Sequence, residues 1–273
     1  MLERLDTFES RFVASRHIDV WLPPGYVKGG GGRYPVIYLQ DGQYNCLPAS
    51  NVMGWGLCDT VAGLIEEGTI PPVILANIWN SSDRWREYVP KKPVDRFASP
   101  EEQMAIRKRG KTPTSDRYLR FFIEELIPHM ESIYPLITRR EGRYLMGSSL
   151  GGIISLYAVC EHPHLFSGAG CLSSHWPLYE GSMLPYMEES LPDPAVHRFY
   201  FDISTEALDA QYPPYHHRVQ QILTQKGYRE NENCMNLVWQ GHDHSATSWG
   251  KRVHVPLTFL LNPDISWMNQ RVG

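Results

Sequence analysis

Short apolar runs along the chain alternate with longer stretches in which apolar residues recur every three or four positions. The runs are bounded by turn residues and predict buried strands at 11–22, 33–39, 73–79, 143–146, 168–172, 198–203 and 235–239. The first two are expected to be neighbouring strands, joined by a turn that contains the glycines at 29–32. Helical spacing predicts helices after a cap at Ser115, over 153–159 and around 219–223. Pro128 is expected to kink the first of them or to end its first half.

This alternation of strands and helices predicts an α/β fold with a mostly parallel central sheet and helices on both faces, because parallel strands need crossover connections. The alternation of strands and helices continues along 1–273 and predicts a single domain. Residues 91–114 interrupt it with a polar, proline-punctuated segment of net positive charge. The chain leaving strand 73–79 starts at the carboxyl edge of the sheet, where such folds hold their ligands, so we expect 91–114 to be a lid that sets substrate choice.

Composition excludes several other classes of protein. The 273 residues are 42% hydrophobic and 21% charged with a formal net charge of −4, which argues against a nucleic-acid partner. No apolar run approaches the roughly 18 residues of a membrane-spanning helix, so no membrane partner is expected. The five cysteines have no metal-site spacing and are expected to be small buried hydrophobes. A cytoplasmic location fits these features, with a removed signal peptide as the open alternative.

The strongest chemical signal is the Gly-Ser-Ser-Leu-Gly sequence at 147–151, between a predicted strand and a predicted helix. A nucleophile on a sharp strand-to-helix turn needs small neighbours, which Gly147 and Gly151 provide. Ser149 is therefore the predicted nucleophile. The backbone N–H of Leu150, at the positive end of the helix, is placed to stabilise an oxyanion.

A serine nucleophile needs a histidine base, and two candidates follow the strand at 235–239. His242 and His244 lie in a loop where this architecture positions its base. The same pair could belong to a zinc site, but no third ligand stands at motif spacing, so we expect no metal.

The base in turn needs a carboxylate, expected in the loop after the strand at 198–203. Asp202, Glu206 and Asp209 compete for this role. Asp202 lies within the strand and is expected either to point away from the site or to stabilise the turn. Asp209 is favoured over Glu206 because it has the shorter side chain commoner in this role, and Glu206 stays open.

Together these residues resemble one branch of the α/β-hydrolases, the esterase group that includes esterase D, enterochelin esterases, feruloyl and acetylxylan esterases and, more distantly, mycolyltransferases. The resemblance is carried by 34–43, 86–90, 147–152, Asp209, and His244 followed five residues later by Trp249. It selects His244 over His242, and it implies that the backbone N–H of Gln43 is the second oxyanion donor.

The chain also departs from this family at two places. The acid loop at 204–209 is longer than the short turn usual between strand and acid in this family. Asp41 stands where many relatives have a histidine before the oxyanion glycine, a variant of the enterochelin-esterase-like members.

The resulting prediction is a cofactor-independent serine hydrolase of carboxylic esters, carbohydrate-linked acyl esters included. Its substrate would be a small-molecule or glycan ester. Trp176, Arg84 and Trp85 follow predicted strands and are candidate substrate contacts, although each tryptophan could simply pack under a loop. An acyltransferase with the same triad and a catalytically silent glycan-binding relative are the alternatives.

Overall fold

One eight-stranded sheet forms the centre of the molecule. The structure is a computed structural model that describes residues 1–262, so residues 263–273 of the predicted domain lie outside it. The spatial order is β1-β2-β4-β3-β5-β6-β7-β8. The strands are β1 (Leu2–Phe8), β2 (Arg16–Trp21), β3 (Val36–Leu39), β4 (Ile74–Ile78), β5 (Arg143–Ser148), β6 (Gly168–Leu172), β7 (Arg198–Ser204) and β8 (Cys234–Trp239). Strands β3 to β8 are mutually parallel, and the two antiparallel pairs are β1–β2 and β2–β4, which confirms the predicted mostly parallel sheet.

Helices cover both faces of this sheet. They are α1 (Gly42–Asn45), α2 (Leu57–Glu66), α3 (Arg84–Tyr88), α4 (Lys91–Phe97), α5 (Pro100–Lys108), α6 (Ser115–Arg120), α7 (Ile127–Ile133), α8 (Leu150–Glu161), α9 (Met183–Ser190), α10 (Pro213–Gln225), α11 (Ala246–Arg252) and α12 (His254–Leu261). Alternate residues of β3 enter two different apolar clusters: Val36 and Tyr38 pack with α8, whereas Ile37 and Leu39 pack with α2 and α12. Because β3 is buried on both faces, its sequence is a continuous apolar run, and that run predicted the strand.

The predicted pairing of the first two apolar runs is wrong. Strand β2 begins at Arg16 and pairs antiparallel with β4, while β3 lies between β4 and β5. Strand β1, which the pattern did not indicate, occupies the edge beside β2, and its alternating half-exposed residues lack a continuous apolar run. Strands joined by a turn are often adjacent in a sheet, but β3 instead lies between two parallel neighbours, β4 and β5, where it is buried.

The helix expected after Ser115 is present and is interrupted before Pro128. Thr114, rather than Ser115, is its N-terminal flanking residue. Between α6 and α7 the chain makes a π-helical turn over Phe121–Leu126, and Pro128 lies in the first turn of α7. Because proline has no N–H to donate, the α-helical hydrogen-bond ladder is broken where the sequence predicted.

The segment 91–114 is more ordered than a polar excursion. It forms α4 and α5, buries Val94 and Ile106 in the main apolar cluster, and packs α4 against α9. Arg96 pairs with Glu189 of α9 at 2.6 Å. These contacts place the segment against neighbouring helices, and its role as a lid stays a prediction.

Two of the five cysteines are not the free hydrophobes expected from the sequence. Cys46 and Cys58, which are twelve positions apart in the sequence, form a disulfide that closes a loop. Cys160, Cys171 and Cys234 are buried free thiols, as predicted. The pairing escaped the sequence analysis because it depends on the turn that brings α1 beside the start of α2.

The buried imidazole of His216 on α10 predicts that the free energy of unfolding depends on pH. Burial lowers the pKa of His216 to about 4, so the ring stays neutral in the folded chain. An unfolded histidine takes up a proton below about pH 6.5, so stability present at pH 7 is lost as the pH falls. We expect the free energy of unfolding to drop by about 2 kcal/mol from pH 7 to pH 5 on this account, by denaturant titration.

The His216→Phe variant should lose this part of the pH slope. His217→Gln, at the exposed next position, is the matched control and should keep it. Equal slopes in wild type and His216→Phe would contradict the prediction.

Candidate active site

The carboxyl ends of the parallel strands bring three separated parts of the chain to one edge of the sheet. Ser149 follows β5, Asp209 lies in a 3-10 turn (Ala207–Gln211) after β7, and His244 lies in the loop after β8. Strands β5 to β8 run parallel to their neighbours without interruption. Loops after such strands share one edge, so residues ninety-five positions apart along the chain meet there.

Ser149 occupies a strained turn between β5 and α8. Its backbone has φ 56° and ψ −123°, outside the regions that non-glycine residues favour. A Cβ at Gly147 would lie 2.6 Å from the backbone of Gly151, so the turn closes only with glycine there. The side chain of Ser149 stays half-exposed while its neighbours Ser148 and Leu150 are buried. The motif thus forms the sharp strand-to-helix turn that its glycines predicted.

His244 and Asp209 are joined by a short hydrogen bond. His244 Nδ1 lies 2.5 Å from Asp209 Oδ1, and the Asp209 side chain is completely buried. Asp209 Oδ2 accepts further hydrogen bonds from Ser173 Oγ at 2.6 Å and from the Ser204 N–H at 2.8 Å. Burial acts to raise the pKa of Asp209, but these hydrogen bonds outweigh it and hold that pKa below its ordinary value. Glu206, the competing acid, is exposed.

Asp202 and His242 belong to the support beneath this pair. Asp202 is buried, accepts from the Ser173 N–H at 2.8 Å, and pairs with the equally buried Arg252 at 2.9 Å. Arg252 also donates to Ser173 Oγ at 2.8 Å, so Ser173 links the Asp202–Arg252 pair to Asp209. The carbonyl of His242 accepts from the backbone N–H of Glu206 at 2.9 Å and ties the two loops together. Sequence analysis missed Ser173 and Arg252, since a contact across 79 residues leaves no local pattern.

The two predicted oxyanion donors lie at helix starts. The N–H groups of Leu150 and Gln43 occupy the first turns of α8 and α1, and neither donates to an acceptor within residues 1–262. Asp41, directly before α1, has a left-handed backbone with φ 55°. Its carboxylate accepts two hydrogen bonds from Arg84, at 2.6 and 2.7 Å, and one from Asn80 Nδ2 at 2.6 Å. The Asp41–Arg84 pair therefore holds the turn that carries Gln43.

A family model described as "Putative esterase" matches residues 10–255 of this chain. The chain belongs to this esterase family. It is a carboxylic ester hydrolase of the α/β-hydrolase type.

Among curated proteins, the esterase is 25% identical over 232 residues to "Uncharacterized protein YbbA" of Bacillus subtilis, covering 82% of this chain and 84% of that one. It is also 25% identical over 238 residues to the "Endo-1,4-beta-xylanase/feruloyl esterase" of Xylanibacter ruminicola. That match covers 85% of this chain but only 27% of the larger protein.

Solved structures share the fold at lower identity. A ferulic acid esterase matches with a TM-score of 0.71 and 19% identity, over 97% of this chain and 98% of the other. An enterobactin esterase from Shigella flexneri matches with a TM-score of 0.67 and 16% identity, over 96% of this chain and 59% of the other. A ferulic acid esterase from Anaeromyces mucronatus matches with a TM-score of 0.64 and 21% identity, over 96% and 92%.

The predicted substrate contacts have different surroundings in the esterase. Trp176 is completely buried and packs against Phe201 with ring centroids 5.8 Å apart. Its ring therefore has no free face for a ligand, and the expected stacking role is wrong because the loop after β6 folds the tryptophan inward. Trp85 is half-buried against the main apolar cluster. Arg84 keeps 31% of its side chain exposed while its guanidinium is paired with Asp41.

His175 is a second imidazole beside Ser149. Its backbone N–H donates to the carbonyl of Ser149 at 3.3 Å, and its Nδ1 lies 2.7 Å from the hydroxyl of buried Tyr212. Burial lowers the pKa of His175, with a further lowering from the neighbouring His244. The lowered pKa keeps His175 neutral near pH 7, so it adds no positive charge beside His244.

Within residues 1–262 no cluster of three or more histidine, cysteine, aspartate or glutamate side chains could hold a metal ion. Over the same residues, none of the helices has the length and apolar character needed to cross a membrane.

Proposed function

We propose that the esterase acts through a Ser149–His244–Asp209 triad and an acyl-enzyme intermediate. The observation that carries this proposal is the 2.5 Å contact between buried Asp209 and His244 Nδ1 at the sheet edge that also holds the strained Ser149. An ionised carboxylate bonded to Nδ1 holds the imidazole with Nε2 free to accept a proton. The low pKa of Asp209 keeps that carboxylate ionised at neutral pH.

In the acylation step, Ser149 Oγ attacks the ester carbonyl carbon while His244 Nε2 takes the hydroxyl proton. The negative charge that forms on the carbonyl oxygen is stabilised by the N–H groups of Leu150 and Gln43, which have no other described acceptor. Collapse of this intermediate breaks the bond to the alcohol oxygen, and His244 returns the proton to that oxygen.

In the deacylation step, water replaces the alcohol. His244 accepts a proton from the water as its oxygen attacks the acyl carbon, and then returns that proton to Ser149 Oγ as the carboxylic acid leaves. Each proton taken up by His244 is returned within the same half-reaction. No metal or cofactor enters either step.

The names of the relatives support a small oxygen ester as substrate. Feruloyl esterases and an enterobactin esterase share the fold over nearly the whole chain. We therefore propose that the substrate of this protein is a small-molecule or carbohydrate-linked ester.

Reaction with a fluorophosphonate probe tests the proposal. Ser149 Oγ should attack phosphorus and expel fluoride, which leaves one probe per chain on the peptide that contains Ser149, as read by mass spectrometry. With p-nitrophenyl acetate, a burst of one equivalent of nitrophenol should precede steady turnover if the acyl-enzyme accumulates. Labelling at another residue, or none in an enzyme that hydrolyses esters, would contradict the triad.

A further inference from the structure

A disulfide closes the segment 46–58, the 46–58 loop, which connects α1 with α2. Cys46 directly follows α1, and Cys58 lies in the first turn of α2. Within the loop, the Gly56 N–H donates to the carbonyl of Leu47 at 2.9 Å, and the Trp55 N–H reaches the carbonyl of Tyr44 at 3.4 Å. The loop is thus bound to the helix that carries Gln43.

The other side of the 46–58 loop reaches the catalytic histidine through two indole rings. Trp55 is almost completely buried, and its ring centroid lies 5.6 Å from that of Trp249. Trp249 in turn stands edge-to-face against His244 at 5.0 Å, with an interplanar angle of 81°. Aromatic pairs at such distances are attractive and have a preferred geometry.

Trp249 is held in this position by packing alone. Its Nε1 is buried without a hydrogen-bond partner in the described part of the chain. The orientation of the ring that backs His244 therefore depends on the surface behind it, which Trp55 provides.

Gly250 shows how closely the 46–58 loop approaches α11. A Cβ at Gly250 would lie 2.4 Å from the carbonyl oxygen of Trp55, which is shorter than any tolerated contact. The backbone of the loop and the helix that carries Trp249 are thus in direct contact, and a shift of one displaces the other.

From these contacts we propose that Trp55 is a positioning residue for His244, acting through Trp249 and held in place by the Cys46–Cys58 disulfide. The inference rests on the proposed role of His244 as the base. Asp209 holds the imidazole at Nδ1 alone. A tilt of the ring about that hydrogen bond would displace Nε2, the atom that takes the proton from Ser149 in the proposed mechanism. The edge-to-face contact with Trp249 restricts this tilt. Because the same loop contacts α1, it also sets the distance between the base and the oxyanion donor Gln43.

Replacing Trp55 tests the inference. We expect Trp55→Ala to lower kcat for p-nitrophenyl acetate by about 10- to 100-fold with KM little changed, since a displaced base slows chemistry rather than binding. Trp55→Phe, which restores an aromatic surface, should recover most of the rate. Val52→Ala, at an exposed position of the same loop, is the matched control and should behave as wild type.

A spectroscopic measurement separates positioning from a general loss of structure. The downfield proton resonance of the His244–Asp209 hydrogen bond should be sharp in wild type and Val52→Ala, and broadened or lost in Trp55→Ala at unchanged circular dichroism. A folded Trp55→Ala enzyme with wild-type kcat and a wild-type resonance would overturn the inference. The proposed triad would survive that result, because it fails only if wild type is not labelled at Ser149.

Reduction of the disulfide tests the same inference without removing an aromatic ring. A dithiol reductant supplies two electrons and two protons, so Cys46 and Cys58 become thiols and the reductant becomes a disulfide. We expect kcat to fall by about tenfold on reduction and to return on reoxidation. The Cys46→Ser/Cys58→Ser variant should already have the lower kcat and should not respond to the reductant. Full activity in this double variant would overturn the role of the disulfide.

Discussion

Replacing Ser149 by alanine should lower kcat for ester hydrolysis by about 10⁶-fold, because loss of the proposed nucleophile would disable the whole proposed triad. The substitution deletes one oxygen and keeps the Cβ, so the strained backbone at φ 56° and the glycine-lined turn are retained. The melting temperature should therefore stay within about 2 °C of wild type, as read by calorimetry, since no buried contact is lost. Steady-state hydrolysis of p-nitrophenyl acetate measures the rate.

Ser148→Ala is the matched control for this prediction. Ser148 is the adjacent serine of the same motif but is buried at the end of β5. The control should keep both turnover and fluorophosphonate labelling. Substantial activity in folded Ser149→Ala, after contaminating esterase has been excluded by active-site titration, would end the assignment of Ser149.

Replacing Asp209 by asparagine should lower kcat by about 10⁴-fold, the second largest effect expected. The amide is nearly isosteric and can still accept from Ser173 and Ser204, but it carries no charge to stabilise the imidazolium of His244. It can also present an N–H to Nδ1 and thereby select the wrong tautomer. The rate of fluorophosphonate labelling should fall in parallel with kcat. Labelling reactions quenched at successive times measure that rate.

Glu206→Gln distinguishes the two candidate acids. Glu206 is exposed three positions away in the same loop, so this variant should keep its rate within about twofold. A larger loss in Glu206→Gln than in Asp209→Asn would reverse the assignment. The pH profile gives an independent check: the pKa of Asp209 lies below its ordinary value of 3.8, so the carboxylate and the support it gives His244 are lost only as the pH falls below that value. Any fall in rate at higher pH then has another origin.

The parts of the fold that periodicity identified are those buried on both faces. Strand β6 was predicted with its observed bounds, and β5, β7 and β8 within two residues, because a strand covered by helices on both sides shows as a continuous apolar run. Edge strand β1, half-exposed throughout, gave no such run. The pattern of apolar runs could not predict the spatial order of β2, β3 and β4 in the sheet, since each run is compatible with several neighbouring strands.

The sequence by itself determined the residues that depend on local chain geometry. The glycine-flanked Ser149, the helix start at Leu150 and the histidine loop after β8 are each set by a few consecutive residues. The tertiary structure decided what depends on distant contacts. It brings Asp209 rather than Glu206 to His244, buries Trp176, and builds the Ser173–Arg252 support and the Cys46–Cys58 loop behind His244. The physical reason is that burial and hydrogen-bond partnership are properties of the assembled sheet edge, where chain segments far apart in sequence exclude water together.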